Sequence, residues 1–275
     1  MNHLTRIAIE ASLNAGKAIL EVFNSDDFGV RIKSDQSPLT DADLKSHHII
    51  DAALRNTGIP VLSEEGEQLT YDERKTWDEL WIVDPLDGTK EFVKRSGEFT
   101  VNIALVRQQK PVMGVVFAPV LNDLYWGDEN GAYKIQLQAD WISKGTHALI
   151  AELNAPKLPI GSPDEFTVVA SLSHFSEETE RFIKAVEQKE KAIKLASKGS
   201  SLKMCLIAEG SAHLYPRFAP TMEWDTAAGQ AIIEAAGGQL YDCMTKRPMC
   251  YNRKELLNNS FVAVSMGVDV KEYIF

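Results

Sequence analysis

Two carboxylates and a glycine-threonine pair stand close together in the hexapeptide Asp-Pro-Leu-Asp-Gly-Thr at residues 84–89. The hexapeptide follows an apolar run at 80–83, which is typical of a short buried strand. The proline should stop strand pairing and the glycine permits a tight turn, so both carboxylates are expected on a bend facing one space. Such carboxylates repel each other and lose solvation, a cost that a divalent cation removes. The motif therefore predicts a metal site with Asp84 and Asp87 as ligands.

Two other kinds of structure share parts of this pattern. Aspartyl-phosphate phosphotransferases carry Asp-x-Asp-Gly-Thr after a strand and use the first aspartate as a nucleophile. In this chain two residues separate the aspartates, so the alternation of a strand cannot present them in that way. A capped surface turn stays open from the hexapeptide alone, because Asp, Pro and Gly are all turn residues.

Two further acidic segments favour the metal site. A short apolar run at 59–62 leads to Glu64, and Asp225 opens a helical pattern that extends to Ala236. Oxygen ligands gathered from strand ends and a helix start suit Mg²⁺, which takes few carboxylates together with water and substrate phosphate. Taken singly, Glu64 fits a solvated acidic loop and Asp225 fits a helix N-cap. Three acidic elements in one chain are better explained by one shared site.

The acidic composition limits the partners that the chain can bind. The 275-residue chain has a formal net charge of −10, which argues against a nucleic-acid polymer as partner because no basic stripe is present. The same acidity would repel a phosphate ester unless cations intervene. The sequence shows neither a signal-peptide pattern nor an apolar run of membrane-spanning length. We expect a cytoplasmic protein, and peripheral contact with the inner membrane stays open.

The segments that must position these residues carry helical and strand patterns in turn. Apolar spacing predicts an amphipathic helix over 4–23, and a second helix begins at Thr40. The further predicted elements are strands at 60–63, 80–83, 99–106, 111–118, 123–126, 166–170, 192–196 and 212–216, and helices at 176–188 and 200–208. The proline-rich stretch 140–165 predicts a boundary between two units, 1–150 and 151–275, that share a cleft. The pattern by itself predicts a mixed α/β protein.

The chain resembles the Mg²⁺-dependent, lithium-sensitive phosphatases of the inositol monophosphatase superfamily. The resemblance rests on residues 84–89 and on Trp-Asp-Thr-Ala-Ala-Gly at 224–229, which occur in this order at suitable separations. Within the superfamily, residues 84–92, 97–104 and 214–217 look like the bacterial 3′(2′),5′-bisphosphate nucleotidases. Those enzymes remove the 3′-phosphate of adenosine 3′,5′-bisphosphate and leave AMP. The resemblance implies an alternating α-β-α-β-α sandwich with the metal site at its junction.

The resemblance also implies a ligand set for two or three Mg²⁺ ions. The implied ligands are the carboxylates of Glu64, Asp84, Asp87 and Asp225 and the backbone carbonyl of Leu86. Asp84 and Glu64 would share the ions, while Asp87 and Asp225 would hold the ion that neutralises the leaving oxygen. Two such cations polarise a phosphoryl group, activate water and stabilise the departing alkoxide.

Asp43 has two compatible interpretations. Thr-Asp-Ala-Asp at 40–43 fits a helix start in which Thr40 caps the backbone and Asp43 reaches back to it. From these residues alone, the capping role is the commoner one. The resemblance implies that Asp43 also pairs with Thr89, and that the two accept the proton of the attacking water.

Substrate contacts are implied at three segments. These are the helix start at Gly88 and Thr89, the segment with Ser171 and His174, and the helix start with Gly199 and Lys203. Free N–H groups at the first would bind the scissile phosphate, and the second would contact the nucleotide. At the third, the glycine would permit close approach and the lysine would offer charge to the second phosphate. Arg217 is a further candidate, for which a salt bridge is the alternative.

The sequence thus predicts Mg²⁺-dependent hydrolysis of a small bisphosphate nucleotide by metal-activated water. A broad-specificity inositol monophosphatase is the alternative, but Lys-Glu-Phe stands at 90–92 where those enzymes usually have Thr-Asn-Phe. A catalytically idle relative that binds nucleotide or metal is disfavoured, because every matched acid and Thr89 are present. Both a monomer and a homodimer are compatible with the sequence.

Overall fold

The computed structural model describes residues 1–33, 38–170, 176–190 and 192–273 of the chain. Its helices are α1 (His3–Phe23), α2 (Asp41–Arg55), α3 (Tyr71–Arg74), α4 (Thr89–Val93), α5 (Thr146–Ala151), α6 (Glu177–Glu190), α7 (Leu202–Glu209) and α8 (Glu223–Ala235), with a 3₁₀ helix at Val270–Glu272. Its strands are β1 (Arg31–Ile32), β2 (Pro38–Leu39), β3 (Val61–Ser63), β4 (Glu79–Asp87), β5 (Thr100–Arg107), β6 (Lys110–Ala118), β7 (Asp123–Asp128), β8 (Gly131–Gln136), β9 (Phe166–Val169), β10 (Ile193–Ala196), β11 (Leu214–Arg217), β12 (Gln239–Asp242), β13 (Arg247–Pro248) and β14 (Phe261–Val264).

These elements stack in five alternating layers. Among the described residues, β3 to β8 form one six-stranded sheet and β9 to β14 form a second. Helices α1 and α2 cover one face of the first sheet, and α7 and α8 lie between the sheets. Helix α6 covers the outer face of the second sheet. The predicted α-β-α-β-α sandwich is confirmed.

The strand order places the acidic motif and the region of Arg217 within sheets rather than in free loops. The first sheet has the order β3-β4-β5-β6-β7-β8, in which β4 pairs in parallel with β3 and antiparallel with β5. The second has the order β10-β9-β11-β14-β12-β13. Arg217 is the last residue of β11, and pairing with Phe261 of β14 fixes its backbone.

Strand β4 continues past its predicted end at residue 83. Its pairing with β5 passes from Asp84, opposite Asn102, to Asp87, opposite Thr100. Two residues of β4 therefore lie opposite one residue of β5, which is a β-bulge. Pro85 has no N–H to donate, so it interrupts the ladder as expected, but pairing resumes after the bulge. The bulge separates the two aspartates along the end of one strand.

Helix α8 approaches the first sheet very closely. A methyl group on Gly114 of β6 would lie 2.2 Å from the carbonyl oxygen of Ala228, so this approach requires glycine. At Gly127 of β7, the same addition would lie 2.9 Å from the Cα of Ile232. Ala228 follows Asp225 by about one helical turn. The depth of α8 against the sheet therefore sets the position of Asp225.

The two sheets share a core. Buried residues of both sheets and of α7 and α8 form one apolar cluster. The sequence patterns did not predict β8, nor α5, which lies in the stretch interpreted as a boundary. Division into units 1–150 and 151–275 stays a prediction. No helix in the described part of the chain is long and apolar enough to cross a membrane.

Candidate metal and catalytic site

Three of the predicted metal ligands meet at one place. Asp84 and Asp87 at the end of β4 and Asp225 in the first turn of α8 each offer a carboxylate oxygen, and these atoms all lie within 4.8 Å of one another. Asp225 is the third helical residue rather than the cap, and its Oδ2 accepts the N–H of Met222 at 2.8 Å. The bulge of β4 and the close seating of α8 thus bring together side chains that are far apart in the sequence.

The electrostatics of the cluster favour a bound cation. Burial raises the pKa of Asp84 well above its ordinary value, and the charges of Glu64 and Asp87 raise it further. Burial likewise raises the pKa of Asp225, with the charge of Asp87 acting in the same direction. Crowded, buried carboxylates need protons or a cation to neutralise them, and an all-oxygen donor set suits Mg²⁺. The residues present therefore fit the predicted group.

Glu64 lies beside this cluster rather than in it. Its Oε1 accepts a hydrogen bond from Lys33 Nζ at 2.9 Å, and Glu65 also accepts from that ammonium. Burial raises the pKa of Glu64, Lys33 opposes the shift, and Asp87 adds to it. The charge of the cluster therefore acts on Glu64, while its carboxylate is paired with Lys33. Its role as a metal ligand stays a prediction.

Asp43 makes both of its predicted contacts. Its Oδ2 accepts the N–H of Thr40 at 2.7 Å and the hydroxyl of Thr40 at 2.5 Å, which forms the capping box of α2. Its Oδ1 accepts the hydroxyl of Thr89 at 3.2 Å. Burial raises the pKa of Asp43, although the Thr40 bonds oppose the shift. Helix capping and contact with Thr89 therefore occur together, through different oxygens of one carboxylate.

Gly88 forms the turn that joins the strand end to α4. Its φ of +91° lies in the left-handed region, which favours glycine. Helix α4 begins at Thr89, whose hydroxyl also lies 3.3 Å from the carbonyl oxygen of Leu86. The first N–H groups of a helix have no acceptor within it. The turn therefore places the predicted carbonyl ligand and the free N–H groups next to the acidic cluster.

Asp87 is held by hydroxyl groups that the sequence analysis did not single out. Ser200 and Ser201, just before α7, donate to Asp87 Oδ2 at 2.5 Å and 2.7 Å. Asn102 donates to the hydroxyl of Ser201 at 2.8 Å, and the hydroxyl of Thr100 lies 2.7 Å from that of Ser200. The signal in the sequence was a pair of serines at a glycine-rich helix start. Only the fold shows that they face Asp87, a predicted metal ligand.

The cluster opens into a cavity of about 360 Å³. The predicted substrate residues Gly88, Gly199 and Lys203 line it, together with Arg217. The remaining substrate predictions, Ser171 and His174, lie outside the described residues. The cavity thus combines an acidic part, beside the carboxylate cluster, with cationic side chains from the second half of the chain.

The loop before α7 forms one side of this cavity and is held by hydrogen bonds at two points. The N–H of Gly199 donates to Glu98 Oε2 at 2.8 Å. Lys203 Nζ donates to the carbonyl oxygens of Lys198 at 3.1 Å and Ser200 at 2.7 Å. Burial lowers the pKa of Lys203 to about 8. Lys203 therefore holds the loop in shape as well as lining the cavity.

Comparison with known proteins gives a consistent result. A model of the inositol monophosphatase family matches residues 1–270. The chain is 43% identical over 256 residues to the 3′(2′),5′-bisphosphate nucleotidase CysQ of Shigella flexneri, covering 92% of this chain and 96% of that protein. Identity to the Escherichia coli K12 protein of the same name is 42% over 256 residues, with the same coverage. The crystal structure of CysQ from Bacteroides thetaiotaomicron, a bacterial member of the inositol monophosphatase family, matches with a TM-score of 0.85 at 46% identity, covering 96% of this chain and 98% of that one.

Proposed function

This chain belongs to the inositol monophosphatase family, and from that premise we propose that it is a Mg²⁺-dependent 3′(2′),5′-bisphosphate nucleotidase. It hydrolyses adenosine 3′,5′-bisphosphate with water to AMP and phosphate. The observation that carries the proposal is the convergence of Asp84, Asp87 and Asp225 beside a cavity with cationic lining. Relatives that share more than two fifths of the sequence bear the nucleotidase name, which supports this substrate class over inositol phosphates.

The proposed ligands of two or three Mg²⁺ ions are the carboxylates of Glu64, Asp84, Asp87 and Asp225 and the carbonyl of Leu86. When bound, Mg²⁺ supplies positive charge that lowers the pKa of water and stabilises the leaving oxygen. For Glu64 to take part, its carboxylate must exchange Lys33 for a cation. The Ser200 and Ser201 hydroxyls orient Asp87 for its role.

Asp43 and Thr89 are the proposed proton acceptors. Thr89 Oγ1 lies within hydrogen-bonding reach of both Asp43 Oδ1 and the Leu86 carbonyl. A water molecule that attacks the phosphate next to Thr89 can pass its proton to this pair, because the buried carboxylate has a raised pKa. The capping bonds from Thr40 hold that carboxylate in one orientation.

The proposed substrate contacts lie around the same cavity. The N–H groups at Gly88 and Thr89 receive the scissile phosphate at the start of α4. Gly199 permits close approach of the substrate, and Lys203 contributes positive charge from the loop before α7. Ser171 and His174 are proposed to contact the nucleotide.

A phosphate-release panel tests the proposal. The substrates are adenosine 3′,5′-bisphosphate, its 2′,5′ isomer and inositol 1-phosphate, each with Mg²⁺ and with EDTA. We expect Mg²⁺-dependent release from a bisphosphate nucleotide to have the highest kcat/KM. Preference for inositol 1-phosphate would favour the other branch of the family, and no release from any substrate would favour an idle relative.

The proposed setting is the cytoplasm, with the protein acting as a monomer or homodimer and without a nucleic-acid polymer as partner. Light scattering on the purified protein distinguishes the two assembly states, and cell fractionation tests the location.

A further inference from the structure

Helix α8 begins with a buried carboxylate that lies outside the acidic cluster. Glu223 is the first residue of the helix, two positions before Asp225, and its side chain is completely buried. Its Oε2 accepts the N–H of Asn252 at 2.6 Å, and its Oε1 accepts the N–H of Arg253 at 3.0 Å and Nε of the same arginine at 3.1 Å. Burial raises the pKa of Glu223, and the bonds from Arg253 and Asn252 oppose the shift. The pair is thus well satisfied, which a buried charge requires.

The loop between β13 and β14 encloses the first turn of α8. Arg253 Nη2 donates to Asn258 Oδ1 at 2.7 Å. The Nδ2 of Asn258 in turn donates to the carbonyl oxygen of Met222 at 2.7 Å and to the hydroxyl of Thr226 at 3.0 Å. Met222 and Thr226 lie on either side of Asp225 in the sequence. The loop therefore holds the chain both before and after this predicted metal ligand.

The same loop is anchored from its other side by Arg74, which is buried. Arg74 Nη1 donates to Asn252 Oδ1 at 2.9 Å and to the carbonyl oxygen of Arg253 at 2.6 Å, and its Nη2 donates to the carbonyl oxygen of Lys254 at 3.0 Å. Asn252 has a φ of +57°, in the left-handed region that is uncommon for residues other than glycine. The surrounding hydrogen bonds therefore fix the conformation of this turn.

The direction of the Asp225 carboxylate depends on the backbone that this loop holds. Asp225 Oδ2 accepts the N–H of Met222 at 2.8 Å, so the carboxylate follows the first turn of α8. Without a cation, Asp225 is repelled by Asp84 and Asp87, whose carboxylate oxygens lie within 4.8 Å of its own. A helix start that could move would relieve this repulsion by carrying Asp225 away from the cluster.

We propose that Glu223 and Arg253 are positioning residues of the metal site, because their buried ion pair fixes the first turn of α8 and so holds Asp225 in place for Mg²⁺. The inference rests on the proposed function. Neither residue is among the described residues that line the cavity, so both act through Asp225 rather than on the substrate. Mg²⁺ demands near-ideal octahedral geometry, which makes its binding sensitive to a displaced ligand.

Arg253→Met tests the proposal, because charge and positioning predict opposite results. Removing a positive charge would by itself strengthen the binding of a cation. Loss of the ion pair should instead loosen the helix start, so we expect the dissociation constant of Mg²⁺, measured by calorimetry without substrate, to rise about tenfold. Lys254→Met removes the charge of an exposed neighbour and should not raise that constant. The side chain of Arg253 is 23% exposed, so the variant should fold.

Glu223→Asp separates geometry from charge in the other partner. It keeps the negative charge but shortens the side chain, so the bonds to Asn252 and Arg253 cannot all form. We expect a rise in the Mg²⁺ dissociation constant like that of Arg253→Met. Asp128→Asn is the matched control, since Asp128 is a buried carboxylate on β7 that also accepts a backbone N–H, from Asn130 at 2.9 Å. It should lower the melting temperature without changing the dissociation constant.

The kinetic constants give a second readout. At saturating Mg²⁺, Arg253→Met should keep KM for adenosine 3′,5′-bisphosphate within about threefold of wild type. An Mg²⁺ dissociation constant that is unchanged or lowered in Arg253→Met would overturn the assignment, and so would a lower melting temperature as the only effect of both variants. A wild-type protein that binds Mg²⁺ but cleaves only inositol 1-phosphate would overturn the proposed function, and the Mg²⁺ measurements would still decide the roles of Glu223 and Arg253.

Discussion

Asp87 accepts a hydrogen bond from Ser200 at 2.5 Å, although 113 residues separate the two in the chain. The bond runs from the end of β4 in the first sheet to the start of α7 in the middle layer. It holds one carboxylate oxygen of a proposed metal ligand in a fixed direction, as outer partners of metal ligands generally do. The acidic cluster and the loop before α7 are therefore linked directly by a hydrogen bond.

Replacing Asp87 with Asn tests its role as a ligand. The amide oxygen can still accept the two serine hydroxyls, so the fold should stay intact, but the negative charge is lost. We expect kcat/KM to fall at least about a hundredfold. Activity assays measure the loss of kcat/KM, and thermal unfolding of the same samples checks that the fold is intact. Near-normal activity would remove Asp87 from the ligand set, and an unfolded variant would favour a structural turn.

The metal-free protein should lose stability as the pH rises. Because burial raises the pKa of Asp84 and Asp225 in the folded state, that state binds more protons than the unfolded chain above the ordinary carboxyl pKa. Their stabilising contribution is present below that ordinary pKa and is lost as the pH rises through the raised one. Melting temperatures in EDTA should therefore fall as the pH rises above the ordinary carboxyl pKa, and saturating Mg²⁺ should flatten the curve.

Asp84→Asn provides the control for this pH dependence. Its amide oxygen can keep the bond from the Leu86 N–H, which is 3.0 Å long in the wild type. The melting temperature of the variant should fall less with rising pH in EDTA, and Mg²⁺ should raise it only slightly. Identical slopes for wild type and variant would show that other groups cause the dependence.

Thr89→Val separates catalysis from helix capping. The change removes the hydroxyl that contacts Asp43 and leaves the capping box of α2 in place. We expect kcat to fall about a hundredfold or more, within the range for loss of acid–base assistance, with little change in stability. Thr40→Ala is the matched variant, since it removes the cap and should cost about 1 kcal/mol of stability. A larger activity loss in Thr40→Ala than in Thr89→Val would show that capping is the main role of Asp43.

Lys203→Ala should reduce activity on monophosphate and bisphosphate substrates together, with a greater reduction on the bisphosphate. The common loss arises because the carbonyls of Lys198 and Ser200 lose their donor and the loop loosens. The additional loss on the bisphosphate measures the attraction between Lys203 and the second phosphate. It should lower kcat/KM about tenfold if that hydrogen bond is well formed. The measurement is kcat/KM on both substrates. A loss confined to the monophosphate would contradict both roles.

Gly114→Ala should damage the site from a distance. The added methyl group would lie 2.2 Å from the Ala228 carbonyl, so α8 must shift and carry Asp225 with it. We expect a loss of about 1–3 kcal/mol of stability and a raised Mg²⁺ requirement. Gly145→Ala is the control, because no atom lies within 4 Å of the added group. An unchanged Mg²⁺ requirement would show that the seating of α8 does not set the position of Asp225.

The sequence predicts what local chemistry and family resemblance specify. Asp84 and Asp87 stand in a motif whose proline and glycine restrict the backbone, so their convergence follows from neighbouring residues. The acidic segment with Asp225 pointed to the same site, but the full ligand set and the five-layer fold came from the resemblance. Strand β4 extended past Pro85 because tertiary pairing with β5 resumed after the bulge, which no local rule anticipates.

Contacts between distant segments were beyond the reach of sequence reasoning. The pairing of Lys33 with Glu64, and the lack of a partner for Arg217 Nε among the described residues, depend on which loops pack beside each other. The sequence identified Arg217 as a candidate, with a salt bridge as a strong alternative. Whether Arg217 forms a salt bridge depends on which carboxylates lie near it in the fold.

The shared middle layer constrains how this molecule can move. Helices α7 and α8 pack into one core with both sheets. A hinge motion that separates the sheets would therefore break buried apolar contacts. Exchange of substrate and product must then rely on local breathing of the segments around the mouth of the cavity, such as the loop anchored by Glu98 and Lys203. We therefore expect the release of product to depend on local opening of that loop rather than on a domain motion.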